Sequence, residues 1–149
     1  MASLRERVQQ DITAALKAGD KTRLGVLRMV SAAFKQQEID RREALSDEAA
    51  LAILQKMIKQ RHDAAEQFRR GGREQLADKE LAEIQVIEPY LPQPLEPAAL
   101  AALIDAAITE TGASSPKEMG RVMAVLKPKI AARADMSAVS AQVRTALGG

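Results

Sequence analysis

The stretch "EPYLPQPLEP", residues 88–97, decides how the chain is read. Four of the chain's six prolines (Pro89, Pro92, Pro94 and Pro97) crowd into it. Each lacks an N–H, fixes its own φ and pushes the residue before it toward extended backbone. No helix can run through such a segment, yet apolar residues recur at helical spacing on both sides of it. The stretch therefore reads as a boundary between two helical domains, 1–93 and 94–149, joined by a stiff connection.

Upstream, Ser3 and Glu6 have capping-box spacing and Gly19 supplies a stop, which predicts a helix over residues 4–18. Asp20 can cap a second, with Leu24, Leu27, Val30, Phe34 and Ile39 along one stripe to about Glu43. Ser46 and Asp47 open a third, lined by Leu51, Leu54, Met57, Ile58, Ala65 and Phe68, and the pair Gly71-Gly72 ends it. A fourth runs from Arg73 to about Glu88 on Leu76, Leu81, Ile84 and Ile87. Downstream, Pro97 begins a helix that Gly112 stops after Thr111. Ser115 is placed to cap another, with Pro116 in its first turn, reaching about Lys127. Asp135 caps the last, where Val139, Val143 and Leu147 repeat at four-residue spacing. No strand pattern interrupts this order. The fold class is all-α: an irregular four-helix array, then a small three-helix domain.

Composition supports helices. Of 149 residues, 46% are hydrophobic but only 2% aromatic, namely Phe34, Phe68 and Tyr90. Ala, Leu, Ile, Val and Met must build the core, and those residues suit close-packed helices better than a sheet. Cysteine is absent, which excludes disulfides, thiolate metal sites and a cysteine nucleophile. No apolar run approaches the roughly 18 residues of a membrane span. The opening "MASLRERVQQD" has no apolar signal-peptide core. The expectation is a soluble cytoplasmic protein without a membrane partner.

Catalytic constellations are hard to find. His62 is the only histidine and sits at the edge of an apolar stripe, so it reads as packed or surface-lying. A metal role would need carboxylate company beyond Asp63 and Glu66, so no metal site is assigned. "SSPK" at 114–117 superficially resembles serine amidase chemistry, but the glycine-rich surroundings of an oxyanion site are missing. Neither GxxxxGK[ST] nor a GxGxxG after a strand occurs, so no nucleotide cradle and no cofactor are expected. Arg69, Arg70 and Arg73 around Gly71-Gly72 read as a turn between helices. No catalytic residue is assigned.

The charge pattern is more informative than the net charge of +2. From Lys117 to Arg133 stand five basic residues (Lys117, Arg121, Lys127, Lys129 and Arg133) and one acid, Glu118. Met119, Val122, Met123 and Leu126 follow helical spacing and must face a core, which leaves the cations for solvent. Lys127, Lys129 and Arg133 are expected in the connection to the final helix. A patch of this kind fits phosphates, each neutralised contact adding salt-sensitive affinity. Without an aromatic residue in the domain, stacking on unpaired bases is not expected, and recognition would rest on backbone and shape.

Three phrases together resemble a known family: "LRMVSAAFKQQEIDRR" (27–42), "FRRGGREQLADKELAEIQVIEPYLPQPL" (68–95) and "ETGASSPKEMGRVMAVLKPKIAARADMSAVSAQV" (110–143). The chain resembles, over essentially its whole length, the YqeY-like proteins of the GatB/YqeY family. That family is similar to the carboxy-terminal tail of the B subunit of the tRNA-dependent amidotransferase. That enzyme converts mischarged glutamyl- or aspartyl-tRNA to its amidated form, a carbon–nitrogen ligase reaction with glutamine as amido donor. The resemblance implies an all-helical fold and binding of tRNA, or other structured RNA, through the small domain. It assigns Arg121, Lys129 and Arg133 to phosphate contact with Lys117 and Lys127 in support, while Met123 and Asp135 serve as core and cap. Relatives often carry glycine before the "RAD" triplet where this chain has Ala132, and the expectation here is that a helical turn simply continues through Ala131-Ala132. The kinase-like portion of the B subunit is absent, so the chain is not expected to catalyse amidation alone. Two functions stand: a tRNA-binding accessory for translation, and a non-catalytic protein-interaction module using Ala-rich surfaces such as Ala98 to Ala107. Oligomeric state is not encoded in any of these features.

Overall fold

The computed structural model describes residues 2–149 and divides into two compact units, one up to Leu91 and one from Pro92 onward. Among the described residues there is no strand.

The first unit contains α1 (Leu4–Ala18), α2 (Lys21–Arg41), α3 (Asp47–Arg70) and α4 (Glu74–Ile87), followed by a 3-10 turn, Glu88–Tyr90. Local chemistry sets the ends. The Ser3 side chain accepts from the Glu6 N–H, Asp20 from the Arg23 N–H, and Ser46 from the Ala49 N–H. Each cap satisfies a donor that the first helical turn leaves without a partner. Gly19 closes α1 in the left-handed region at φ 69, where an L side chain is disfavoured. The core is built from Val8, Leu27, Val30, Phe34, Leu54 and Ile87, all wholly buried. Polar ties fix the helix starts: the Leu4 N–H donates to Asp47 Oδ1 at 2.9 Å and the Leu45 N–H to Glu38 Oε2 at 3.2 Å. Two stripe assignments are corrected. Ile39 is 61% exposed, near the end of α2 and beyond its last buried residue, Phe34. Leu76 is 39% exposed because the neighbouring Ala77, wholly buried, takes the packed face of α4.

The second unit contains α5 (Pro97–Thr111), a 3-10 turn (Pro116–Glu118), α6 (Met119–Ile130) and α7 (Met136–Ala146). Leu100, Ile104, Ala107, Val122, Leu126, Ile130, Val139 and Val143 form its core. Three expectations fail here for physical reasons. Ser115 makes no side-chain cap; instead Glu118 Oε2 reaches back to accept the Ser114 N–H at 2.6 Å. The helix does not stop at Lys127 but carries Pro128 inside it to Ile130. Pro128 and Ala124 are both exposed, so water takes over the carbonyl that proline cannot serve. Wholly burying Ile130 meanwhile contributes about 1.5–3 kcal/mol, more than one exposed hydrogen bond of about 1 kcal/mol. Nor does a helical turn continue through Ala131-Ala132. Ala131 takes φ 49, ψ −127, and the Arg133 N–H closes a turn on the Ile130 carbonyl at 3.0 Å.

Candidate nucleic-acid interface

All five cations singled out in the sequence lie in the second unit and are exposed. Lys117 belongs to the 3-10 turn, Arg121 to the first half of α6, and Lys127 and Lys129 to its last turn rather than to the following connection. Val122, Leu126 and Ile130 are buried, which turns the opposite side of α6 to solvent. At about 100° per residue, Lys127 and Lys129 leave the helix axis about 160° apart. That arc crosses the buried face; over the wider solvent side, about 200°, Arg121 lies between them, about 80° from Lys129 and about 120° from Lys127. The structure thus spreads these cations across the solvent side of α6 with Arg121 central; it does not gather them into one spot.

Their partners differ. Arg121 faces Glu118 Oε1 at 3.6 Å and Lys129 faces Glu110 Oε2 at 3.4 Å; both cations and Glu110 are exposed, and Glu118 is half-buried. Such pairs contribute roughly 0–1 kcal/mol and exchange readily for a stronger anion. Arg133 is engaged differently. Its Nε donates to the Gln93 carbonyl at 2.9 Å while its own carbonyl accepts from the Leu95 N–H at 2.9 Å. Arg133 therefore clips the proline segment to the turn between α6 and α7, an arrangement the sequence does not announce. Asp135 accepts from the Ser137 N–H at 3.2 Å as a cap, and Met123 packs against the core, half-buried.

The arginine-flanked glycine pair forms a turn between α3 and α4. Arg70 pairs with Glu66 at 2.5 Å, and Arg69 with Glu74 and Asp78 at 3.4 and 3.9 Å, so most of its charge is balanced locally. His62 is exposed. Among the described residues, no group of three His, Cys, Asp or Glu side chains could hold a metal ion, and no helix is long and apolar enough to cross a membrane.

Sequence reasoning missed a second polar cluster, in the first unit. Arg7, Asp11, Asp20, Thr22, Arg23, Gln85, Pro89 and Tyr90 contribute to the lining of a cavity of about 510 Å³. The buried Tyr90 donates its hydroxyl to Asp11 Oδ2, which also faces Arg23 at 3.8 Å. The Arg7 guanidinium lies 5.2 Å from the Tyr90 ring centroid. Burial, then the hydrogen bond and negative charge of Asp11, push the Tyr90 hydroxyl up to about 12 from its usual 10.0. The only local signal was Tyr90 itself, the chain's one tyrosine, set against the proline segment.

With this geometry in view, the chain belongs to the Yqey-like protein family, which it matches over residues 5–147. Curated relatives carry the name "Altered inheritance of mitochondria protein 41, mitochondrial". The protein of that name from Eremothecium gossypii is 35% identical over 85 residues, 56% of this chain and 46% of that protein. The one from Lachancea thermotolerans is 36% identical over 114 residues, 73% of this chain and 60% of that protein. The one from Pyrenophora tritici-repentis is 28% identical over 148 residues, 95% of this chain and 80% of that protein. The chain spans about half the length of the first of these relatives.

Proposed function

We propose that this chain is a tRNA-binding accessory protein, related in role to the tail of the tRNA-dependent amidotransferase B subunit and without amidation chemistry of its own. The observation that carries this reading is the solvent side of α6 and of the 3-10 turn before it, where Arg121, Lys127 and Lys129 on the helix and Lys117 on the turn are all exposed. Among the described residues their acid partners are Glu118, half-buried, and Glu110, exposed, and each is met through one long contact that a phosphate can displace. Arg133 keeps its Nε on Gln93 and offers its remaining N–H groups at the edge of the same surface. All three aromatic residues precede the second unit, so contact would run through phosphates and the shape of a folded RNA. The reading places the protein in translation and in the cytoplasm.

Purified protein should bind bulk tRNA with an affinity that falls steeply between about 50 and 200 mM salt. The Arg121→Glu/Lys129→Glu variant should lose about tenfold or more at the lower salt while keeping its helical circular dichroism. Folded protein that fails to bind at low salt would turn attention to a protein-docking role. The surface for that second reading is the outer side of α5, where Ala98, Ala99, Ala101, Ala102 and Ala106 are exposed.

A further inference from the structure

The cavity in the first unit has a charge pattern unlike that of α6. Two arginines and two aspartates line it together; Arg23 is held by Asp11 and Tyr90, while Arg7 and one oxygen of each aspartate keep bonding capacity to spare. Arg7 touches only the face of the Tyr90 ring, so among the described residues none of its guanidinium N–H groups has an acceptor. Asp11 receives both Tyr90 and Arg23 on Oδ2, which leaves Oδ1 open. Asp20 uses Oδ1 to cap α2, which leaves Oδ2 open. Thr22 and Gln85 add an exposed hydroxyl and an exposed amide. Donors and acceptors of both charges thus face one space.

That balance selects the ligand. A simple anion drawn to Arg7 and Arg23 would also meet two carboxylates, and a simple cation drawn to the aspartates would meet two guanidiniums. Either loses in repulsion much of what it gains, since like charges in one cleft disfavour each other by the same Coulomb term. A small molecule bearing both signs meets each partner once. The cavity, about 510 Å³, lies within the usual range for a small-molecule site. We propose that this cleft binds a small zwitterion of the free amino-acid class, its carboxylate on Arg7 and Arg23 and its ammonium on the open oxygens of Asp11 and Asp20. The fixed Tyr90–Asp11 bond holds one wall in place, so little has to be reordered on binding. This inference is independent of the tRNA reading, because no residue of the second unit takes part.

The test is a titration of the full chain, followed by amide chemical shifts, with each of the common free amino acids, with inorganic phosphate and with a diamine as separate arms. At least one amino acid should saturate shifts at residues 20–23 and 85–90, with phosphate and diamine inert there. Arg7→Gln, an exposed position without hydrogen bonds in the native fold, should weaken that binding about tenfold, the usual loss for one charge-assisted contact. Thr22→Val, which exchanges a hydroxyl for a methyl of similar size, should weaken it less and show that the site survives mutation. Saturation by phosphate or by the diamine in place of any amino acid would overturn the proposal, as would shifts unchanged by Arg7→Gln or no saturable shift in any arm.

Discussion

Ala131 is the residue most at odds with its backbone. It sits at the second position of the turn Ile130–Arg133 with φ 49 and ψ −127, angles that a type II′ turn assigns to glycine. Holding a Cβ there costs about 1–3 kcal/mol, while glycine would add about 0.5–1 kcal/mol of unfolded-state entropy. Ala131→Gly should therefore stabilise the native state by about 1 kcal/mol, read as a higher midpoint in chemical denaturation. Ala132→Gly should not, because among the described non-glycine residues only Arg42 and Ala131 have positive φ. A gain at 132 with a loss at 131 would show that the turn is placed wrongly. The sequence pointed to this neighbourhood, through the glycine expected before the "RAD" triplet, but to the wrong alanine. Turn angles depend on which carbonyl closes the turn, here that of the wholly buried Ile130, and spacing alone does not show which one that is.

Elements whose ends rest on their own side chains were legible; those whose ends rest on distant packing were not. Ser3, Asp20, Ser46 and Asp135 act within three residues of themselves, so α1, α2, α3 and α7 could be started from spacing alone. The far end of α6 could not, because Pro128 reads locally as a stop and only the core shows why the helix continues. That extra turn changes the functional argument. It takes Lys127 and Lys129 out of a loose connection and sets them on opposite flanks of one rigid helix. An RNA backbone laid along one flank cannot meet both equally, so Lys127→Glu and Lys129→Glu should differ in effect on tRNA binding. The more damaging one should reduce the salt slope by roughly one contact's worth. If Lys129 is the one, Glu110→Gln should tighten binding, since it removes the acid now 3.4 Å from that ammonium. Equal losses from the two reversals, measured side by side, would mean that charge acts only as a diffuse field and that α6 has no docked register.

At the scale of the molecule, two separate cores divide the chain where the prolines do. Phe34, Leu54 and Ile87 belong to one, and Val122, Leu126 and Val143 to the other. The helix count and all-α class were legible because periodicity and punctuation are properties of neighbouring residues. The cleft was not, because Asp11 and Tyr90 lie 79 positions apart and meet only once α1 and the end of α4 are packed. The second unit carries every cation assigned to tRNA, together with its own core and its own clip, Arg133 holding Gln93 and Leu95. Residues 92–149 alone should therefore fold cooperatively. A domain of roughly 60 residues buries only about 60% of its unfolded surface, so its melting temperature should be low. It should nonetheless bind tRNA within about threefold of the full chain, a difference below 1 kcal/mol, while residues 1–91 should bind none. Circular dichroism melts establish folding first, and filter binding at low salt then compares the three chains. A folded second unit without affinity, or a first unit that binds as tightly as the whole, would remove α6 from the interface.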